Sequence, residues 1–118
     1  MATEQPTKRP ISITILAWLY IAVGVLGTAA HYADFRAHKP IVNEFVSITL
    51  LGAVAIVAGA FMLRGRNWAR WLALAWMASH VAISAFHPLH ELIIHSALFV
   101  LFAFLLFQRK ARAYFSAA

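Results

Sequence analysis

The chain has 118 residues, 63% of them hydrophobic and only 12% charged, where a globular chain carries about 25% charged residues. A soluble domain of this size exposes too much of its area to hide so much apolar surface, so the composition excludes one and fits a lipid solvent. The absence of cysteine excludes disulfides, thiol redox chemistry and cysteine metal sites, while the formal charge of +6 sits on residues flanking apolar runs, which points to membrane orientation and anionic headgroups and not to nucleic acid.

Residues 1–9 are mostly polar and read as a cytoplasmic tail, and Pro10 stands where a helix can begin. A first helix is expected near 11–31, because Ile11 to Ala30 holds no charge. Lys8, Arg9 and the small residues Thr28-Ala29-Ala30 have the flavour of a secretory leader, but the apolar run exceeds the roughly 7–15 residues of a signal core, so the span is expected to be retained. Tyr32 to Pro40 makes the first connection. A second helix is expected near 42–63, and Gly65 in Arg64-Gly65-Arg66 is placed to end it. The third is expected near 67–86 and the fourth near 88–108. His87-Pro88 turns between them, since a residue before proline avoids the helical region and proline suits a first turn. Gly52 and Gly59 on helix two, and Ala69 and Ala73 on helix three, mark close helix contacts of the kind small residues allow in lipid.

The expected fold is therefore all-α: a four-transmembrane-helix antiparallel bundle over 10–108, with a basic cytoplasmic tail at 109–118. Lys and Arg orient it. Eight of them (Lys8, Arg9, Arg64, Arg66, Arg70, Arg109, Lys110, Arg112) fall on one side and two (Arg36, Lys39) on the other. The first side is cytoplasmic by the positive-inside rule. In a bacterial inner membrane the Tyr32–Pro40 connection and the His87-Pro88 turn then face the periplasm. Trp68 and Trp71 suit the inner interface, and Tyr32 the outer one.

All six histidines lie on the outer half: His31, His38, His80, His87, His90 and His95. Three of the four acids, Asp34, Glu44 and Glu91, lie there too. Imidazole is the commonest metal ligand, and carboxylates orient such ligands. His80 lies seven residues before His87, and His95 seven after Pro88, so both sit roughly 10 Å below the same turn on neighbouring helices. Glu91 and His95 are four apart and share a face. The candidate constellation is His80, His95 and Glu91, joined by His31 from helix one, with His87 and His90 as further metal ligands; haem b or a transition metal ion is the cofactor it would hold. Tyr20, Gly24, Gly27 and His31 line one face of helix one as a groove that admits a flat cofactor or another helix. The plainer alternative is that His80 and His95 bond Ser84, Ser79 or a backbone carbonyl and serve packing alone.

Other chemistries fail on spacing. His90 and His95 in His90-Glu91-Leu92-Ile93-Ile94-His95 are one residue too far apart for a zinc-protease helix, about 140° around the axis. His87 and His90 lack the further histidine boxes of membrane di-iron hydroxylases. Proton-coupled export needs an acid deep in the bundle, and no acid lies there.

The run Arg64-Gly65-Arg66-Asn67-Trp68-Ala69-Arg70-Trp71-Leu72, with a histidine late in helix three and the basic aromatic end Arg109-Lys110-Ala111-Arg112-Ala113-Tyr114-Phe115, resembles small four-helix bacterial integral membrane proteins with a Gly-x-x-Trp-Ala-Arg inner loop. The resemblance implies fold and orientation and lends no activity. The loops are too short for a catalytic domain, so the chain is not expected to be an enzyme by itself. Two functions remain. The first is an accessory or assembly subunit of a larger membrane complex, or a self-associating chain, with Phe99, Phe102, Phe104 and Phe107 as its apolar surface. The second is a metal- or haem-binding membrane protein using His80, His95 and His31.

Overall fold

The computed structural model describes residues 8–38 and 42–116. Lys39 and Pro40 lie outside the described residues, as do residues 1–7 and the side chains of Asp34, His38 and Glu44. The described chain is all-α, with helices α1 (Ile11–His38), α2 (Val42–Leu63), α3 (Asn67–Ser84), α4 (Leu89–Phe107) and α5 (Arg109–Ser116). Ile11–Ala33, Val46–Leu63 and Leu89–Phe107 are long and apolar enough to cross a membrane, which makes the chain an integral membrane protein. α3, opening on Asn67 and Arg70, falls short of that measure.

The helix ends follow local chemistry. The amides of Ile13 and Thr14 donate to the Pro10 carbonyl. α2 ends in a Schellman motif: Gly65 adopts φ +73°, its amide donates to Met62 O and the Arg66 amide to Phe61 O. Pro88 caps α4, accepting from the Glu91 amide. α1 differs from expectation by running on to His38. Tyr32 to His38 leaves the apolar run, but nothing in it breaks a helix before the residue preceding Pro40. The 28 residues of α1 reach about 42 Å, more than the ~30 Å hydrocarbon layer.

The helices pack as neighbours in chain order, and α1 meets α4 at only a few points. α1 and α2 touch backbone to backbone. A β-carbon on Gly24 would stand 2.6 Å from Gly52 O, and one on Gly59 2.5 Å from Ala17 O. The expected contact at Gly52 and Gly59 is therefore present, and Ala69 and Ala73 are fully buried. Side-chain hydrogen bonds to backbone carbonyls tie the other pairs. Tyr20 Oη donates to Ala73 O (2.7 Å) and Trp76 Nε1 to Leu51 O (2.8 Å).

The densest core lies at the end carrying the basic residues, where Ile13, Leu16, Met62, Leu106, Ala111 and Phe115 are buried. Here the expected tail is a helix. α5 buries Ala111 and Phe115 while Arg109, Lys110 and Arg112 stay exposed. The Tyr114 hydroxyl lies 2.9 Å from both Met62 O and Leu63 O, and Arg9 Nη1 also donates to Leu63 O, so the carbonyls at the end of α2 gain side-chain partners. Arg70 stacks its guanidinium 4.4 Å over the Phe107 ring. Trp68 and Trp71 are half exposed, resting on Phe61 and Phe107. The supposed phenylalanine surface needs correction: Phe102 is buried, and Phe99 and Phe107 pack against the core. Phe104 alone of the four faces outward, at 64% exposure, because the row of large residues on α4 turns with the helix.

Candidate functional site

The site is built at the opposite end, where α3 and α4 form a hairpin. His80 on α3 places Nδ1 3.0 Å from the carbonyl of Trp76, one turn back. Its ring lies against the Trp76 indole at 4.0 Å between centroids and 35° between planes. That indole is itself held by Leu51 O, so His80 rests on a fixed wall. His95 on α4 repeats the pattern, with Nδ1 2.9 Å from the Glu91 carbonyl. Ser84 joins the two helices. Its Oγ donates to His80 O (2.7 Å) and sits 2.5 Å from His95 Nδ1. The His80 and His95 rings are 6.0 Å apart between centroids.

The depth matching read from the hairpin thus brings His80 and His95 together, and the expected Ser84 bond crosses the hairpin. Ser79 bonds Trp76 O instead of an imidazole. Glu91 contributes its backbone carbonyl to His95, while its carboxylate lies 3.9 Å from His87 Nδ1 at the exposed turn. His90 is exposed. His31 is exposed too and lines a cleft of about 160 Å³ with Thr28, Trp76 and His80. Among the described residues no three His, Asp or Glu side chains form a group able to hold a metal ion.

A larger cleft of about 420 Å³ lies between α1, α3 and α4. Tyr20, Trp76 and Phe102 give it aromatic walls, and His80 and His95 its polar end. Tyr20 packs 5.1 Å from Trp76 and 5.8 Å from Phe102 between centroids, tilted against both. Trp76, His80 and Val23 line both clefts, so they form the partition between them. Of the groove expected on helix one, Tyr20 lines the larger cleft, Gly27 and His31 the smaller, and Gly24 is taken up by the approach of α2.

Sequence reasoning placed Tyr20 on the groove of helix one but missed Trp76 as part of the site. The available signal was the spacing Trp76–His80, four apart and therefore on one face. Comparison of the chain with protein-family models, with curated proteins and with solved structures gave no match.

Proposed function

We propose that this chain is a four-span membrane protein, both termini cytoplasmic, that holds a small ligand between α1, α3 and α4 against His80 and His95. The observation that carries the reading is a pair of imidazoles, each fixed through Nδ1 to a carbonyl one turn back, at the edge of an apolar cleft of about 420 Å³. Ligand sites are commonly apolar clefts of about 300–1,000 Å³ with a few placed polar groups. Ionisable residues within membrane spans are rare and commonly functional, which favours a role for the pair.

The fourth crossing is supported by packing. α3 is 18 residues, about 27 Å, and lies between two apolar spans with a short turn at each end. The orientation rests on the cations gathered at the α5 end. The cysteine-free chain makes both testable by labelling whole cells with a membrane-impermeant maleimide. Arg36→Cys is expected to react in intact cells and Ser116→Cys only after lysis. The opposite pattern would reverse the orientation; labelling of both in intact cells would remove the odd number of crossings between them.

For the ligand, the full chain is purified in mild detergent, extracted with solvent, and assayed by mass spectrometry and metal analysis. One bound molecule or ion per chain is expected, absent from the His80→Phe/His95→Phe double variant. A second reading keeps the accessory subunit. It is favoured by the outward face of α4, where Ile93, Ile94, Val100, Leu101 and Phe104 stand uncovered by the chain itself. Lipid covers such a face equally well, so that reading is preferred only if the purified chain carries nothing and arrives with stoichiometric larger subunits.

A further inference from the structure

We infer that the ligand of the His80–His95 cleft is a lipid-soluble aromatic alcohol of the phenol and hydroquinone class, its ring lying among Tyr20, Trp76 and Phe102 and its hydroxyl donating to an imidazole Nε2. This rests on the ligand-binding reading above and names the chemistry of what binds.

The hydrogen-bond inventory of the cleft decides the class. A carbonyl oxygen cannot donate, so the contact of His80 Nδ1 with Trp76 O puts the proton on Nδ1. The single hydroxyl proton of Ser84 goes to His80 O, which leaves Ser84 Oγ and Glu91 O to accept from His95 Nδ1–H. A ring whose one proton sits on Nδ1 presents Nε2 as an acceptor, and neither Nε2 is sealed away without a partner, since the buried unpaired side-chain atom among the described residues is Arg70 Nε. The two donors in the walls are already spent, Tyr20 on Ala73 O and Trp76 on Leu51 O. Among the described residues the cleft therefore offers imidazole acceptors and no free donor.

A ligand complementary to that inventory must bring its own proton. A quinone, ketone or ester offers acceptors alone and would leave Nε2 unpaired, which costs more than the bond gains. A carboxylate or phosphate would meet no cation, because no Lys or Arg among the described residues lines the cleft. Among the described residues, a metal ion would find two imidazoles and no third His, Asp or Glu with them. An aromatic alcohol meets each condition: a hydroxyl for Nε2, a flat ring for tilted aromatic walls, and a size suited to about 420 Å³. The way in is from the bilayer. α1 and α4 meet at few points, and Leu19 and Val23, which line the cleft from α1, are 44% and 43% exposed.

The test titrates the full chain in detergent micelles with 4-butylphenol and with its methyl ether, 4-butylanisole, each corrected for partition into empty micelles, using calorimetry. The ether keeps ring and tail and loses the donor. The phenol is expected to bind about fivefold tighter, the worth of one neutral hydrogen bond. The preference should vanish in His80→Phe/His95→Phe and persist in His90→Phe. Should the double variant not fold, the phenol-to-ether ratio on the unaltered chain still decides. Equal binding of the two overturns the ligand class and leaves the cleft as a site. Binding of neither above empty micelles removes the site reading with it. Stoichiometric zinc or copper(II) binding that the double variant lacks replaces the alcohol with a metal.

Discussion

Gly59→Leu is expected to be the most damaging single substitution in α2, costing about 2 kcal/mol or more and lowering the unfolding temperature in detergent accordingly. In lipid there is no hydrophobic drive for helices to associate, so close packing and hydrogen bonds hold them together. α2 approaches the α1 backbone at Gly59 because glycine carries no side chain to hold it off. A β-carbon on Gly59 would lie 2.5 Å from Ala17 O, 2.7 Å from Ile21 Cγ1 and 3.2 Å from Ile21 N. Two of those three atoms are backbone, which cannot swing aside as a side-chain tip can. The helices must part, and Ala17, Ala55 and Ala58, all fully buried, lose contact along the seam. Gly27→Ala is the control, because a β-carbon there meets nothing within 4 Å. It should be neutral or stabilise slightly through helix propensity. Thermal unfolding of the two variants side by side checks the claim; equal melting would show that the α1–α2 seam tolerates separation.

The same contrast shows what the sequence could reveal. Apolar runs placed the spans, and Gly65 and Pro88 marked their ends, because these signals are local. Hydropathy reports depth in the bilayer, however, and not helicity. Tyr32 to His38 leaves the apolar zone without leaving the helix, so hydropathy alone ends α1 too early. α5 was hidden for a different reason. Its cations read as a topological anchor, and its helix rests on partners far away in the chain, with Tyr114 on the Met62 and Leu63 carbonyls and its ring against Gly65. The pairing of His80 with His95 was legible, since a hairpin fixes depth by counting residues. The roles of their nitrogens were not, because those depend on rotamers. Glu91 was read as a carboxylate ligand and acts on His95 through its carbonyl. His31 was placed with the pair by depth alone. The rotation of α1, set by the Gly24–Gly52 contact, sends it to the neighbouring cleft.

Tyr20→Ala is expected to cost about 3–5 kcal/mol by the measure of buried aromatic truncations and to abolish binding in the cleft. Tyr20 is 1% exposed and among the largest fully buried side chains. It reaches from α1 to both the α3 backbone and the aromatic walls, through Ala73 O, Trp76 and Phe102. Removing the ring opens a cavity beside an existing cleft. Trp76 then loses its ring contact with α1, and the wall that fixes His80 is freer to turn. Tyr20→Phe separates the parts. It keeps the ring and loses one hydroxyl bond, about 1 kcal/mol. The Ala73 carbonyl it deserts sits within α3, where the helical bond from Met77 remains available. Stability should therefore fall in the order wild type, Tyr20→Phe, Tyr20→Ala, while phenol binding survives the first change and not the second. If Tyr20→Phe proved as damaging as Tyr20→Ala, the hydroxyl bond across α1 and α3 would be the main support, and the aromatic wall would be secondary.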